Sequence, residues 1–411
     1  ADVVSRIDVS CNNCSHNDID CANDLSTTIV TATQEAYARL DPASGVLVQV
    51  VFFDAGPGAE GRVLIAVHHL VVDGVSWRIL VPDLAEAVAG TVPVRSGTPL
   101  RVWARSLLAA VPARRGEAAL WRRMTAVDGR IRVASRTIDP SRDTMSGTAV
   151  VHVEVPSTVT GTLLTTVPER FHARIDDVLL TALALATARS CGPGALVVDL
   201  EGHGREEQVV PGADLSRTVG WFTSLYPVRI DVTGVDVARA FTGSGDAGEA
   251  LKRIKEQLRE IPDSGIGFGM LRHLDAEGAT AFDAAPPPDI GFNYLGRFTL
   301  GEAEGGPWSG APESSALGGA TEADMPVSHA VEIGVLTEDT PAGPVLRGTF
   351  GYSPGLVSEQ TVAELAGNWV AALGALAGHA SADDAGGFTP SDLTLGGLDQ
   401  SEIDEFSLEF G

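Results

Sequence analysis

Apolar and polar positions along the chain follow two periods. Val46–Phe53 and Val63–Val67 are runs rich in β-branched residues on either side of Asp54-Ala-Gly-Pro-Gly-Ala-Glu-Gly61. That arrangement predicts a hairpin. After Asp83 the pattern turns helical and stays so through Trp103 and Trp121. From Val133 to Gly147, Ser, Arg, Asp and Pro dominate, above all in Ser135–Asp143, which marks a domain boundary. Val151–Val155 alternates like a half-buried strand, and Asp177–Ala188 is a Leu- and Ala-rich helix stopped by Cys191-Gly-Pro-Gly194. An apolar strand follows at Ala195–Leu200. Leu251, Ile254, Leu258 and Ile261 define an amphipathic helix whose polar face carries Lys252, Lys255, Glu256 and Arg259. Strand-like runs at Val331–Leu336 and Val345–Tyr352 flank a turn at Pro341–Pro344, and Val362, Leu365, Trp369, Leu373 and Leu376 mark a last long helix. The class is α/β or α+β in two lobes, 1–140 and 146–380, with a Gly-, Ser- and acid-rich, linker-like tail over 381–411.

Composition narrows the function. The 411 residues carry 29 Lys plus Arg against 54 Asp plus Glu, a formal net charge of −25. Such an acidic surface argues against nucleic acid or an anionic membrane as partner. No apolar run approaches the ~20 residues of a membrane helix, and no basic-then-apolar signal segment opens the chain. The chain thus reads as soluble and cytoplasmic. Cys11, Cys14, His16 and Cys21 lie in a polar stretch of about 25 residues that reads as an irregular terminus. Their spacing matches no common zinc pattern, so no metal is expected. The only lysines are Lys252 and Lys255, on a helix face read as solvated, which disfavours a pyridoxal-phosphate Schiff base. Gly265-Ile-Gly-Phe-Gly269 lacks the spacing of a dinucleotide loop, and no phosphate-binding GxxxxGK[ST] occurs.

Two places share one chemical logic. Val63–Val67 runs into His68-His69-Leu-Val-Val-Asp73-Gly74-Val-Ser-Trp77, and Ala195–Leu200 runs into Glu201-Gly202-His203-Gly204-Arg205-Glu206. In each, an apolar strand delivers an ionisable group to its end, and nearby glycine lets a substrate approach the backbone. A histidine and a carboxylate make a usable acid/base pair. From the residue types alone, adjacent histidines fit hydrogen-bonded structure equally well, and Glu201 fits a salt bridge to Arg205.

The spacing adds information. His68-His69-x3-Asp73-Gly74-x-Ser76-Trp77 resembles the core motif of the condensation-domain superfamily of nonribosomal peptide synthetases, which is similar to the chloramphenicol acetyltransferases. Glu201-Gly-His-Gly-Arg-Glu206 resembles the EGHGRE element of epimerization domains, and Arg217–Val228 resembles their next motif. Pro262–Gly269 and Phe292-Asn-Tyr-Leu-Gly296 resemble the two after that, and Thr389-Pro-Ser-Asp392 resembles the family's ending. Before Val46 the family's Arg-His-x-x-Leu-Arg-like helix motif is missing, so the resemblance implies a shortened N-terminal lobe.

The resemblance implies two chloramphenicol acetyltransferase-like lobes in a V with a central channel. It implies L-to-D epimerization of an aminoacyl or peptidyl thioester on the phosphopantetheine arm of a carrier domain, among neighbouring synthetase domains. No cofactor of its own is implied. Glu201 and His69 would face each other as the proton-transferring groups, with His68 behind His69 and Asp73 shaping the loop. Gly74, Trp77, Arg205, Tyr226, Asn293 and Tyr294 resemble substrate-side or lining positions. Arg114-Arg115 and Arg122-Arg123 are candidates for a local basic patch that meets the carrier. Two alternatives remain: a condensation-type acyltransferase, which shares the His motif but lacks EGHGRE, and a non-catalytic platform that docks carriers.

Overall fold

A computed structural model describes residues 3–10, 19–91, 97–282, 286–299, 308–317, 322–383, 385–393, 400 and 402–403. Cys11, Cys14 and His16 lie outside them, as does the side chain of Cys21. The chain divides into two compact units that are discontinuous in sequence. One comprises Ala1–Ala104, Gly212–Phe222 and Glu302–Thr321, the other Arg105–Pro211, Thr223–Gly301 and Glu322–Gly411. The stretch Ser135–Asp143 lies inside the second unit.

The first unit holds β1 (Val4–Asp8), α1 (Ile19–Ala38), β2 (Val48–Asp54), β3 (Arg62–Val67) and α2 (Gly74–Val88), and the division falls within α3 (Leu100–Arg114). β2 and β3 form the expected hairpin, and β1 adds to β2 in parallel, pairing Val4 with Val50. Strand alternation sends Val51, Phe53, Leu64 and Ala66 to one face, where Ile29, Ala32 and Ala36 of α1 cover them. The N-terminal reading needs correction, because a strand and a 20-residue helix stand where an irregular terminus was expected. α2 also begins earlier than the apolar pattern suggested, at Gly74 rather than after Asp83. Asp73 caps it in extended backbone, its carboxylate accepting from the Ser76 N–H.

The second unit contains α4 (Ala118–Met124), β4 (Ala149–Val155), α5 (Ser157–Leu164), α6 (Thr166–Phe171), α7 (Ile175–Cys191), β5 (Leu196–Gly202), β6 (Ser224–Ile230), α8 (Val237–Ala240), α9 (Gly245–Arg259), α10 (Ile266–Leu274) and α11 (Ala276–Phe282). It is completed by β7 (Ile290–Thr299), β8 (Val331–Thr340), β9 (Gly343–Tyr352) and α12 (Glu359–Ala380). Its six strands run β4-β9-β8-β7-β5-β6, with β7 parallel to both β5 and β8. Leu196, Val198 and Leu200 of β5 share one core with Ile290 and Phe292 of β7 and with α7 and α12. Twelve consecutive residues of α7 are buried, which explains a helix apolar on nearly every side. The Trp369 indole N–H donates to the Leu179 carbonyl at 3.1 Å and ties α12 to α7.

Two further expectations change here. Lys255 is 1% exposed rather than solvated. Its ammonium donates to the Phe171 carbonyl at 2.9 Å and to Asp392 at 2.7 Å. A buried charge persists when a partner and hydrogen bonds compensate it. The partner comes from the tail, so residues 385–393 are no loose linker. Phe388 stacks on His172 at 4.6 Å, Gly387 N–H donates to the Arg170 carbonyl, and Thr389 is fully buried.

Candidate active site

The histidine loop is built at the open end of β3. The His68 N–H bonds the Leu47 carbonyl at 2.8 Å, and its Nδ1 accepts from Leu70 N–H at 3.2 Å. Its ring is therefore committed to the loop's own backbone. His69 opens the next turn, is exposed, and leans on the indole of Trp221 with ring centroids 5.0 Å apart. Asp73 is 3% exposed and works as a staple. One carboxylate oxygen accepts from Ser76 N–H (2.8 Å) and Ser76 Oγ–H (2.7 Å), the other from Phe222 N–H (3.2 Å). Ser76 Oγ in turn accepts from the Gly220 N–H at 3.1 Å. Gly74 is exposed and Trp77 half-buried on the first turn of α2.

This staple explains why Gly212–Phe222 belongs to the first unit although its neighbours in sequence do not. Thr98 N–H donates to the Asp214 carbonyl at 2.6 Å, and Arg217 pairs with Asp83. The stretch beginning at Arg217 thus brings Trp221 to His69, a site residue that strand and helix periodicity cannot announce. Replacing Asp73 by Ala removes a helix cap and the carboxylate that accepts from the Phe222 N–H. The expected loss is ~2–3 kcal/mol of stability, read from urea unfolding; an unchanged midpoint contradicts the staple.

The second group of residues assembles at the end of β5. Glu201 is exposed, and its Oε2 accepts from the side-chain amide of Asn293 on β7 at 2.5 Å. Strand alternation then separates residues that the sequence had grouped. Asn293 lies on the face of β7 that carries Glu201, whereas Tyr226 and Tyr294 lie on the opposite, helix-covered face with Leu200 and Phe292. Tyr294 Oη bonds Thr337 Oγ1 at 2.9 Å, and burial raises its pKa. Burial, helped by the charges of Asp176 and Glu206, pushes the Tyr226 hydroxyl up to about 12. Both tyrosines thus lie on the face of the sheet opposite the Glu201–Asn293 pair. Asp176, in the first turn of α7, has its own pKa raised by burial and then by Asp177, and lies near enough to lift both tyrosines. The sequence reading, which begins this helix at Asp177, does not single it out.

What holds the Glu201 end in place is a chain of side chains behind it. His203 Nδ1 accepts from Arg205 N–H at 3.0 Å, so in the neutral ring the proton sits on Nε2, 3.7 Å from Glu206. Arg205 itself is half-buried. Gln208 donates to the buried Glu206 at 2.7 Å and to Asp263 at 3.3 Å. Asp263 and Ser264 both occupy the left-handed region, with φ of 45° and 48°. Such backbone costs ~1–2 kcal/mol per non-glycine residue. Arg114 compensates by gripping Asp263 at 2.5 Å and Glu117 at 2.9 Å. Gly265 completes the turn at φ 76° with its Cα against the Tyr226 ring, where a Cβ would lie 2.1 Å from Cγ.

Three of the four arginines expected in a basic patch pair with carboxylates. Arg114 is neutralised by Glu117 and Asp263, Arg115 by Asp275 and Glu277, and Arg123 by Glu260. Among the described residues no group of three or more His, Cys, Asp and Glu side chains is arranged to hold a metal ion. No described helix is long and apolar enough to cross a membrane.

Comparison with known proteins agrees with this architecture. A sequence model of the condensation domain matches residues 9–323. One polypeptide of the linear gramicidin synthase of Brevibacillus parabrevis is 38% identical over 383 residues, 90% of this chain and 5% of that protein. A second polypeptide of the same synthase is 36% identical over 386 residues, 91% of this chain and 7% of that protein. The chain thus spans a small part of these multidomain relatives. Among solved structures, the epimerization domain from the third module of tyrocidine synthetase B is similar with a TM-score of 0.74. It is 28% identical, covering 92% of this chain and 80% of that one.

Proposed function

The chain belongs to the condensation-domain family, and from that premise we propose that it epimerizes the α-carbon of an aminoacyl or peptidyl thioester. The substrate would be presented on the phosphopantetheine arm of a carrier domain, so the domain needs no cofactor of its own. The likeness to an epimerization domain supports this reading. The observation that carries it is Glu201, an exposed carboxylate at the open end of a buried strand, oriented by the Asn293 amide.

A thioester acidifies its α-proton, because the carbonyl oxygen takes up the enolate charge. Glu201 accepts that proton, and the α-carbon becomes planar. His69 serves the other face, returning a proton there or donating a hydrogen bond to the enolate oxygen. Asp73, His68 and Gly74 shape the loop that carries His69, and Asn293 keeps Glu201 aimed. Because the substrate is tethered, the carrier needs little intrinsic affinity, and linkers of this kind supply effective concentrations in the ~millimolar range. That fits a domain whose arginines at 114, 115 and 123 are already spent on internal carboxylates.

The test loads a peptidyl carrier domain with L-aminoacyl-phosphopantetheine and adds the protein in deuterated water. Expected are growth of the D isomer towards an equilibrium mixture and uptake of deuterium at the α-carbon. Amide formation with a second loaded carrier, without inversion, replaces the epimerase reading with condensation. Absence of exchange, inversion and amide across several L-aminoacyl carriers leaves the docking platform as the function.

A further inference from the structure

Beneath the Glu201–Asn293 pair lies a histidine that the mechanism does not use. β5 joins β7 through only three register pairs, Val198–Ile290, Asp199–Gly291 and Leu200–Phe292. Glu201 and Asn293 sit one position beyond the last of them. On its other side β5 pairs with β6, the outermost strand of the sheet. The β5–β6 hairpin, and with it Glu201, therefore joins the rest of the sheet across a short ladder. Asp199 lies two residues before Glu201 on the same face, ~6.6 Å along the strand.

His329 bridges that ladder. It is 5% exposed, with Nε2 2.9 Å from Asp199 Oδ2 and Nδ1 2.5 Å from Glu332 Oε1 on β8. Between them, β7 contributes Gly291, where a Cβ would lie 2.6 Å from His329 Nδ1 and 2.3 Å from Glu332. Glycine at that position is what admits the ring. Resting on the reading of Glu201 as the base, we propose that His329 is a positioning residue for it, clasping β5 to β8 across β7 one row below Glu201 and Asn293.

The clasp has a protonation state. Both ring nitrogens face carboxylates, so both bonds form only when each nitrogen carries a proton. Burial pulls the imidazolium pKa down, but the hydrogen bonds to Asp199 and Glu332 outweigh it and lift the value to about 9. The charged groups facing the ring are Asp199 from β5 and Glu332 from β8; Arg130 lies near Asp199 from the segment before β4, and β7 offers only Gly291. A folded pKa raised above the ordinary 6.5 means the clasp is fully present below pH ~6.5 and is lost as pH rises through about 9.

The experiment compares the full chain with His329→Gln and Gly291→Ala, which crowds the ring without removing a titrating group. Initial epimerization rates are followed from pH 6 to 10 and corrected for thioester hydrolysis, alongside melting curves. Wild type should lose kcat as pH passes about 9. In His329→Gln kcat at neutral pH should fall about tenfold with KM for the loaded carrier unchanged, and the alkaline decline should vanish. Gly291→Ala should lose kcat similarly and keep its fold. Wild-type kcat in His329→Gln, or an alkaline limb that survives it, overturns the proposal. Should His329→Gln fail to fold, nitrogen NMR of His329 in the wild type decides: a titration that does not coincide with the activity limb overturns it equally. A wild-type protein that epimerizes nothing removes the Glu201 reading itself, which is a different failure from an active protein with an unmoved limb.

Discussion

Glu201→Gln is expected to lower epimerization of a loaded carrier by about two to four orders of magnitude, the usual contribution of a positioned general acid or base. The substitution is close to isosteric. The Asn293 amide that donates to Glu201 Oε2 at 2.5 Å can donate equally to a glutamine carbonyl oxygen. Glu201 is exposed, so neither burial nor packing changes. The Asn293 hydrogen bond survives, and the proton acceptor is lost. Both α-deuterium uptake and inversion should fall together, because abstraction precedes each. KM for the carrier should hold, since the carboxylate contributes to the chemical step and not to docking. Wild-type turnover in the glutamine variant would assign the base elsewhere and remove the main support for the epimerase reading.

Much of this arrangement is legible in the sequence. The β2–β3 hairpin, α7, α9, the β8–β9 pair and α12 all follow from the local pattern of apolar residues, which each element buries in its own unit's core. Strand alternation alone already separates Asn293 from Tyr294, and grouping them by motif obscures it. Other features have no local signal. β1 carries Val4-Ser-Arg-Ile-Asp8 with four of five residues exposed, and its stability comes from pairing with β2 some 46 positions away. Lys255 reads as a surface residue on an amphipathic helix until Asp392, 137 residues later, folds back to neutralise it. The transfer of Gly212–Phe222 into the first unit depends on Asp73, Ser76 and Thr98, whose hydrogen bonds are tertiary. Asp73 is nonetheless readable as a helix cap, and weighting that signal over the apolar run starts α2 at Gly74.

His69→Ala separates the two roles left to the histidine, and its effect on inversion should be as large as that of the glutamine variant. His69 is exposed and its ring touches Trp221, so removing it forfeits one aromatic contact, worth ~0.5–1.5 kcal/mol, and leaves the Asp73 staple intact. Stability is therefore expected to hold while inversion falls by about two to four orders of magnitude. With Glu201 unaltered, one face of the α-carbon keeps its base. Glu201 can still remove the proton and return it, exchanged with solvent, to the face it left. The expected result is deuterium uptake into unreacted L-aminoacyl substrate with little D product. Loss of uptake and inversion together assigns His69 to the enolate oxygen instead, because an unstabilised enolate forms too slowly for either outcome. Inversion at the wild-type rate excludes His69 from the chemistry altogether. A matched His69→Gln variant sharpens the distinction, since glutamine donates a hydrogen bond but exchanges no proton: it restores uptake if His69 stabilises the enolate, and restores nothing to inversion if His69 is the acid.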